Sequence, residues 1–273
     1  MKQLTARPLA KAAAFVAAGA LAVFGLAGCS NSEPASDSST EGGSTEGKTY
    51  EIVADNAFAP FEFLQEGSDG TYVGVDMDIL AAIAEDQGFE YTVDNCGWDA
   101  AIGNLNTGQA DGMIAGMSIT EERQENYDFS DPYYEGGQIM IVKGDSSIAS
   151  YEDLAGQTVA VKTGTQSASF ANSIADEYGF TVVTYDDSPA VYAAVTGGID
   201  AAGFEDYAVI SYQIENQDLD LKMVGDQQQI TPYGFAVLKG QNPELIEMFN
   251  AGLANLQESG KLAEIFATYG IEI

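Results

Sequence analysis

Two successive runs of alternating strand and helix patterns predict an α/β protein of two similar lobes with a ligand cleft between them. From Tyr50 onward, short apolar runs rich in β-branched and aromatic residues alternate with segments whose apolar residues recur at helical spacing. The pattern breaks after Tyr134 and restarts at Thr158, which divides the chain. With 273 residues, 45% hydrophobic and 19% charged, the composition is that of a globular protein able to bury a sizeable core.

The elements follow in order. The opening residues 1–28 hold Lys2, Arg7 and Lys11 and then an uncharged run from Ala12 to Gly28, the layout of a secretory signal. Leu26-Ala27-Gly28-Cys29 resembles the bacterial lipobox, which implies lipidation of Cys29 after cleavage. A plain signal peptide or a retained anchor, with Cys29 incidental, is the alternative. Residues 29–47 are rich in Ser, Thr, Gly and Glu and carry no large apolar side chain, so they read as a flexible tether. Tyr50–Ala54 is then a predicted strand, and Asp76–Asp86 a helix with Asp76 as N-cap and Gly88 as C-cap. A strand at Phe89–Val93, a helix at Trp98–Leu105 and a strand at Ala110–Ala115 complete a βαβαβ order.

In the second run, strands are predicted at Thr158–Val161, Thr181–Val183 and Ile199–Ala202, with helices at Ser167–Tyr178 and Pro189–Thr196 between them. A strand at Tyr233–Leu238, a helix opening at Asn242-Pro243 and a short helix at Lys261–Tyr269 end the chain. Residues 48–137 with 231–273 form the first expected lobe and residues 138–230 the second. Two hinge strands, Gln138–Lys143 and Gln229–Gly234, are expected to cross between them, so that closure is a hinge motion.

Charge narrows the function. Ten Lys and Arg stand against 42 Asp and Glu, a formal charge of −32. Loss of the signal segment leaves only seven cations. Such a field repels phosphate backbones and anionic headgroups, so nucleic acid is not an expected partner. With no histidine, Ser-His-Asp and Cys-His nucleophile systems and the usual zinc sites are excluded, and no metal or cofactor is expected. Cys96 is the one other cysteine and reads as a small buried hydrophobe.

Each remaining cation therefore needs a reason. Arg123 lies in Gly116-Met117-Ser118-Ile119-Thr120-Glu121-Glu122-Arg123, after a predicted strand and in the first turn of a helix capped by Thr120. Glu121 and Glu122 suit that end of a helix dipole and Arg123 does not. By spacing alone two readings stay open: a surface pair with Glu122 or Asp128, or a bidentate grip on an anion, with a carboxylate the natural one. Val161 to Ser167 runs from strand through Gly164 into a helix, offering Lys162, Thr165, Gln166 and backbone N–H groups without P-loop spacing. Asp55, Phe58 and Trp98 follow strand ends, where ligands bind in such sheets. Aromatics so placed serve a core more often than a binding wall.

Several of these segments together resemble the extracellular solute-binding proteins of bacterial ABC transporters for polar amino acids. The likeness runs from Tyr50 to the C-terminus: FAPFEF, Val73-Gly74-Val75-Asp76-Met77-Asp78, GMSITEER followed by DFSDPYY, VAVKTGT, Tyr233-Gly234-Phe235-Ala236-Val237, and the NPEL to YGI helices. It implies a type II periplasmic-binding-protein-like fold and a monomer that delivers a free L-amino acid to a permease and ATPase. By the same likeness Arg123 clamps the ligand α-carboxylate, with N–H groups near Ser118 and Gln166. The Gly116 carbonyl and the Ser118 hydroxyl take the α-ammonium, within the motif that also holds Met117. Phe58 and Trp98 sandwich the side chain, and Asp55 and Lys162 hold a side-chain amide, which favours glutamine.

The family's ammonium-binding acid falls on Glu205 in a gapless match and on Asp206 with one inserted residue, and Asp206 is the expected one. The family's frequent proline is replaced by Ala208, and the histidine of glutamine-binding members has no counterpart. Two alternatives to transport remain: an exported cyclohexadienyl (prephenate or arogenate) dehydratase on the same fold, with carboxylates and Lys162 as the acid–base groups, and a surface adhesin or signalling partner.

Overall fold

The structure is a computed structural model that describes residues 47–273. The signal pattern, Cys29 and nearly all of the tether lie outside the described residues. Strand β1 (Thr49–Ala54) leads into three short strands, β2 (Ala57–Phe58), β3 (Glu62–Leu64) and β4 (Tyr72–Val73), that pair as a small antiparallel sheet. Helix α1 (Val75–Gln87), β5 (Glu90–Asn95), α2 (Trp98–Asn106), β6 (Gly112–Met113), α3 (Glu121–Gln124) and β7 (Tyr127–Phe129) follow. The long β8 (Tyr134–Lys143) then leads to β9 (Thr158–Lys162), α4 (Gln166–Tyr178), β10 (Thr181–Tyr185), α5 (Ser188–Thr196), β11 (Ala202–Asp206) and α6 (Tyr207–Gln217). The chain returns through β12 (Leu221–Tyr233) and β13 (Ala236–Leu238) and ends in α7 (Pro243–Ser259) and α8 (Lys261–Thr268).

Two five-stranded sheets result, ordered β5-β1-β6-β13-β7 and β10-β9-β11-β8-β12. In each, the three strands joined through helices are parallel, as right-handed crossovers require. The first sheet is covered on one face by a core that includes Ile79, Leu80, Ile83, Phe249 and Phe266, and on the other by Trp98, Leu105 and Met117. Two further clusters, one around Phe170 and Phe204 and one around Val191 and Ile210, pack on the second sheet. This is the expected mixed α/β two-lobe fold. Strands β8 and β12 pair antiparallel from Lys143↔Leu221 to Tyr134↔Tyr233, with register shifts around Gln228. They carry the chain between the lobes.

Four local expectations are corrected. Helix α1 is capped by Gly74, not by Asp76, and Asp76 is fully buried inside its first turn. Gly74 adopts φ 140° so close to β3 that a Cβ would lie 2.0 Å from the Phe61 carbonyl oxygen, a contact invisible along the sequence. The strand expected at Ile199–Ala202 starts only at Ala202. The Ile199 N–H instead closes the end of α5 on the Ala194 carbonyl (2.9 Å), which leaves its side chain 73% exposed. The segment Ala110–Ala115 keeps two strand residues, although the Asp111 and Ile114 N–H groups still bond to β1. Tyr233–Leu238 is two strands because the chain changes sheets at Gly234, where a Cβ would meet Ile119 at 2.9 Å.

Replacing Gly74 by Ala combines a positive φ with a backbone collision. We expect Gly74→Ala to lower the unfolding free energy by about 2 kcal/mol or more, read as a fall in urea midpoint at constant m.

Candidate functional site

The carboxyl ends of the parallel strands converge on one cavity between the lobes. Asp55 follows β1 and Trp98 opens the helix after β5. Ala115, Gly116 and Ser118 follow β6, Lys162 ends β9, and Asp206 ends β11. Phe58, Arg123, Thr165 and Gln166 complete the lining. Ten of the twelve residues expected to bind ligand are therefore brought together. Met117 is fully buried in the core beneath Trp98, and Glu205 points the other way. Alternation along β11 accounts for the second case. Asp206 faces the cavity, whereas Glu205 accepts from the Tyr192 hydroxyl (2.9 Å) and from the Asp206 N–H (3.0 Å).

The cations occupy this seam. Thr120 caps α3 with its hydroxyl oxygen accepting the Arg123 N–H (3.2 Å), which fixes the start of the arginine side chain. The guanidinium donates to the Ser118 carbonyl (3.0 Å) in its own lobe and to the Gly164 carbonyl (3.3 Å) in the other, and stands 5.0 Å from the Trp98 ring centre. Burial lowers its pKa and the Asp206 carboxylate opposes that. Neither Glu122 nor Asp128 pairs with it; Asp128 pairs with Lys239 instead. Lys162, 4% exposed, makes a salt bridge to Asp55 across the lobes and lies 5.6 Å from the Phe58 ring and 5.9 Å from that of Trp98.

The acid Asp206 is held by residues that the sequence did not mark. Gln138 of β8 donates to it at 2.8 Å, and the Tyr233 hydroxyl of β12 also donates. Burial raises its pKa, while Tyr233, Gln138, Arg123 and Lys162 hold it down. Its neighbour Glu205 is pushed up to about 7 by burial and by the Asp206 charge. Both partners of Asp206 lie on the strands that join the lobes, and hinge position was the one available signal for them. Helix α4 starts at Gln166 with the Thr165 hydroxyl as its cap, so its first free N–H groups are at the cavity.

A cavity of balanced charges between two lobes joined by paired strands defines a binding protein that closes on a small polar solute. The chain belongs to the bacterial extracellular solute-binding proteins, family 3, whose model matches residues 50–272. It is 32% identical over 213 residues to the ABC transporter glutamine-binding protein GlnH of Bacillus subtilis, covering 74% of each chain. A crystal structure of the Lactococcus lactis GlnP substrate binding domain 2 in open conformation is 42% identical, with 81% of this chain and 94% of that one covered and a TM-score of 0.58. An ancestral arginine-binding protein bound to arginine is 36% identical, with coverage of 82% and 98%, and has the higher TM-score of 0.75.

Because the Asp55–Lys162 pair spans the seam, breaking it is expected to act on how the lobes meet before it acts on folding. Asp55→Asn leaves Lys162 without its counter-charge, a burial that opening to water relieves. We expect small-angle scattering of ligand-free Asp55→Asn to show a larger radius of gyration than wild type, with a melting temperature within a few degrees of it.

Proposed function

We propose that this chain is the extracytoplasmic substrate-binding protein of an ABC importer, anchored to the membrane through lipidated Cys29, and that it captures a polar L-amino acid by lobe closure. The observation that carries the reading is the opposition of Arg123 from one lobe to Asp206 from the other across one cavity. A zwitterion satisfies both at once. Its carboxylate takes the Arg123 guanidinium and the N–H groups at the start of α4 through Thr165 and Gln166. Its ammonium takes Asp206, the Gly116 carbonyl and the Ser118 hydroxyl.

The remaining charges bear on the side chain. Asp55 accepts and Lys162 donates, which complements the donor and acceptor ends of a carboxamide between the Phe58 and Trp98 rings. A cationic side chain would meet Lys162 and an anionic one Asp55, so glutamine is favoured. Delivery is to a permease and its ATPase, by a monomer that uses no cofactor and binds no nucleic acid. The anchor rests on the sequence of residues 1–29, with the small residues before Cys29 as its support.

A thermal-shift screen against the twenty amino acids tests the reading. A ligand at a hundred times its Kd adds about 2.7 kcal/mol of stability, several degrees in melting temperature. A response confined to glutamine and its polar neighbours is the expected result; silence there with a response to a cyclohexadienyl acid would favour the dehydratase. By calorimetry, Arg123→Ala is expected to weaken binding by about 2–5 kcal/mol, because it strands a buried carboxylate. Near wild-type affinity in that variant would sink the assignment of Arg123.

A further inference from the structure

Behind the cavity wall lies a second set of acids that no ligand contact uses. Glu62 of β3 and Asp76 of α1 are both fully buried. Asp76 Oδ2 accepts the Gly116 N–H at 2.7 Å. Gly116 itself has φ 53° and is wedged so tightly that a Cβ would lie 2.6 Å from Phe58 and 3.3 Å from Tyr233. The other Asp76 oxygen, both Glu62 oxygens and the Tyr133 hydroxyl have no hydrogen-bond partner among the described residues when the two acids are taken as carboxylates.

The groups facing Glu62 come from four elements. They are Asp76 on α1, Asp55 at the end of β1, Lys162 on β9 of the other lobe, and Tyr133 ahead of β8, which reaches the pair through Asp76. The one cation among them is already paired with Asp55. Two bare carboxylates here would repel each other in a medium that screens poorly, and Glu62 would have no donor for either of its oxygens. One proton between them removes both costs.

Resting on the amino-acid-binding reading above, we propose that Glu62 and Asp76 share one proton and that Glu62, as the neutral donor to Asp76, is a positioning residue for the Gly116 turn and thus for the ammonium contact of the ligand. The donated proton fixes the Asp76 carboxylate, whose other oxygen fixes the Gly116 peptide. The positive end of α1 favours the single negative charge that stays on Asp76. In accord with this division, burial and the Asp76 and Asp55 charges raise Glu62 well above the ordinary carboxyl range. Asp76 is pushed up only to about 6, because Gly116, Tyr133 and Glu62 offset part of its burial.

The proton is read directly by infrared spectroscopy of the ligand-free protein. The difference spectrum of wild type minus Glu62→Gln at pH 7 is expected to contain the carbonyl band of a protonated carboxylic acid; its absence overturns the proposal. A folded state that keeps this proton, set against an unfolded state that loses it near the ordinary value, loses stability as pH rises through that window. From pH 5 to 7 wild type should therefore lose several degrees of melting temperature relative to Glu62→Gln. The positioning role is read by affinity for the amino acid found in the screen. Glu62→Ala should weaken it at least tenfold, and Glu62→Gln, which keeps a neutral donor, should restore it. Equal weakness in both variants overturns the role.

If Glu62→Gln does not fold, carboxyl NMR of Glu205→Gln replaces it. One glutamic acid should stay protonated above pH 7, and none would overturn the proposal. A wild type that carries the band but binds no amino acid removes the transport reading and leaves the shared proton standing. Binding without the band does the reverse.

Discussion

The arrangement depends on keeping full charges in the seam between two lobes. A charge taken out of water costs several kcal/mol unless something replaces its hydration. Each charged group here has its substitute from a different element. Lys162 has Asp55, Arg123 has two carbonyls and the Trp98 face, and Asp206 has Gln138 and Tyr233. Four of these six partners sit in the opposite lobe or on the joining strands. Charge satisfaction therefore depends on the two lobes meeting at this seam.

Sheet order explains why these residues meet. In the first lobe β1 lies between β5 and β6; the chain leaves β1 toward β5 and leaves β6 toward β7, on opposite sides, which opens a crevice between the carboxyl ends of β1 and β6. Asp55 and Phe58 come from one side of that crevice and Gly116 and Ser118 from the other. The second lobe repeats the layout with β9 between β10 and β11, and Lys162 and Asp206 flank its crevice. The hinge pair β8 and β12 sets the two crevices face to face. Neither half is a site alone, since Arg123 and Asp206 belong to different lobes.

Much of this was legible because it is local. Arg123 stood out in a helix turn where the dipole disfavours it, in a chain with seven cations beyond its first 28 residues, and the Thr120 cap that aims it is a sequence signal. Strand ends marked Asp55, Trp98 and Lys162 for the same reason. What stayed hidden depends on packing between distant segments. Asp76 looks like an N-cap by residue type. Only the approach of Gly74 to Phe61 moves the helix start and turns Asp76 inward onto Gly116. Glu205 and Asp206 are adjacent acids that composition cannot separate, and one residue of strand alternation decides which faces the cavity. Gln138 and Tyr233 matter through where the paired strands place them, a property of the closed sheet.

The acidity of the chain, −32 in formal charge, also needs to be reconciled with a cavity that takes a carboxylate. Exposed charges farther than about 8 Å are largely screened at physiological ionic strength, so the distant surface acids act weakly on the buried seam. The local balance governs instead, with Arg123 and Lys162 against Asp55 and Asp206. That balance is zero, and it stays zero only when a net-neutral ligand enters. On the proposed reading, a zwitterion with an uncharged polar side chain leaves no charge in excess. On that same reading, a side chain of either sign would leave one ion unpaired in a buried region, so selection against charged side chains would follow from desolvation as much as from contact.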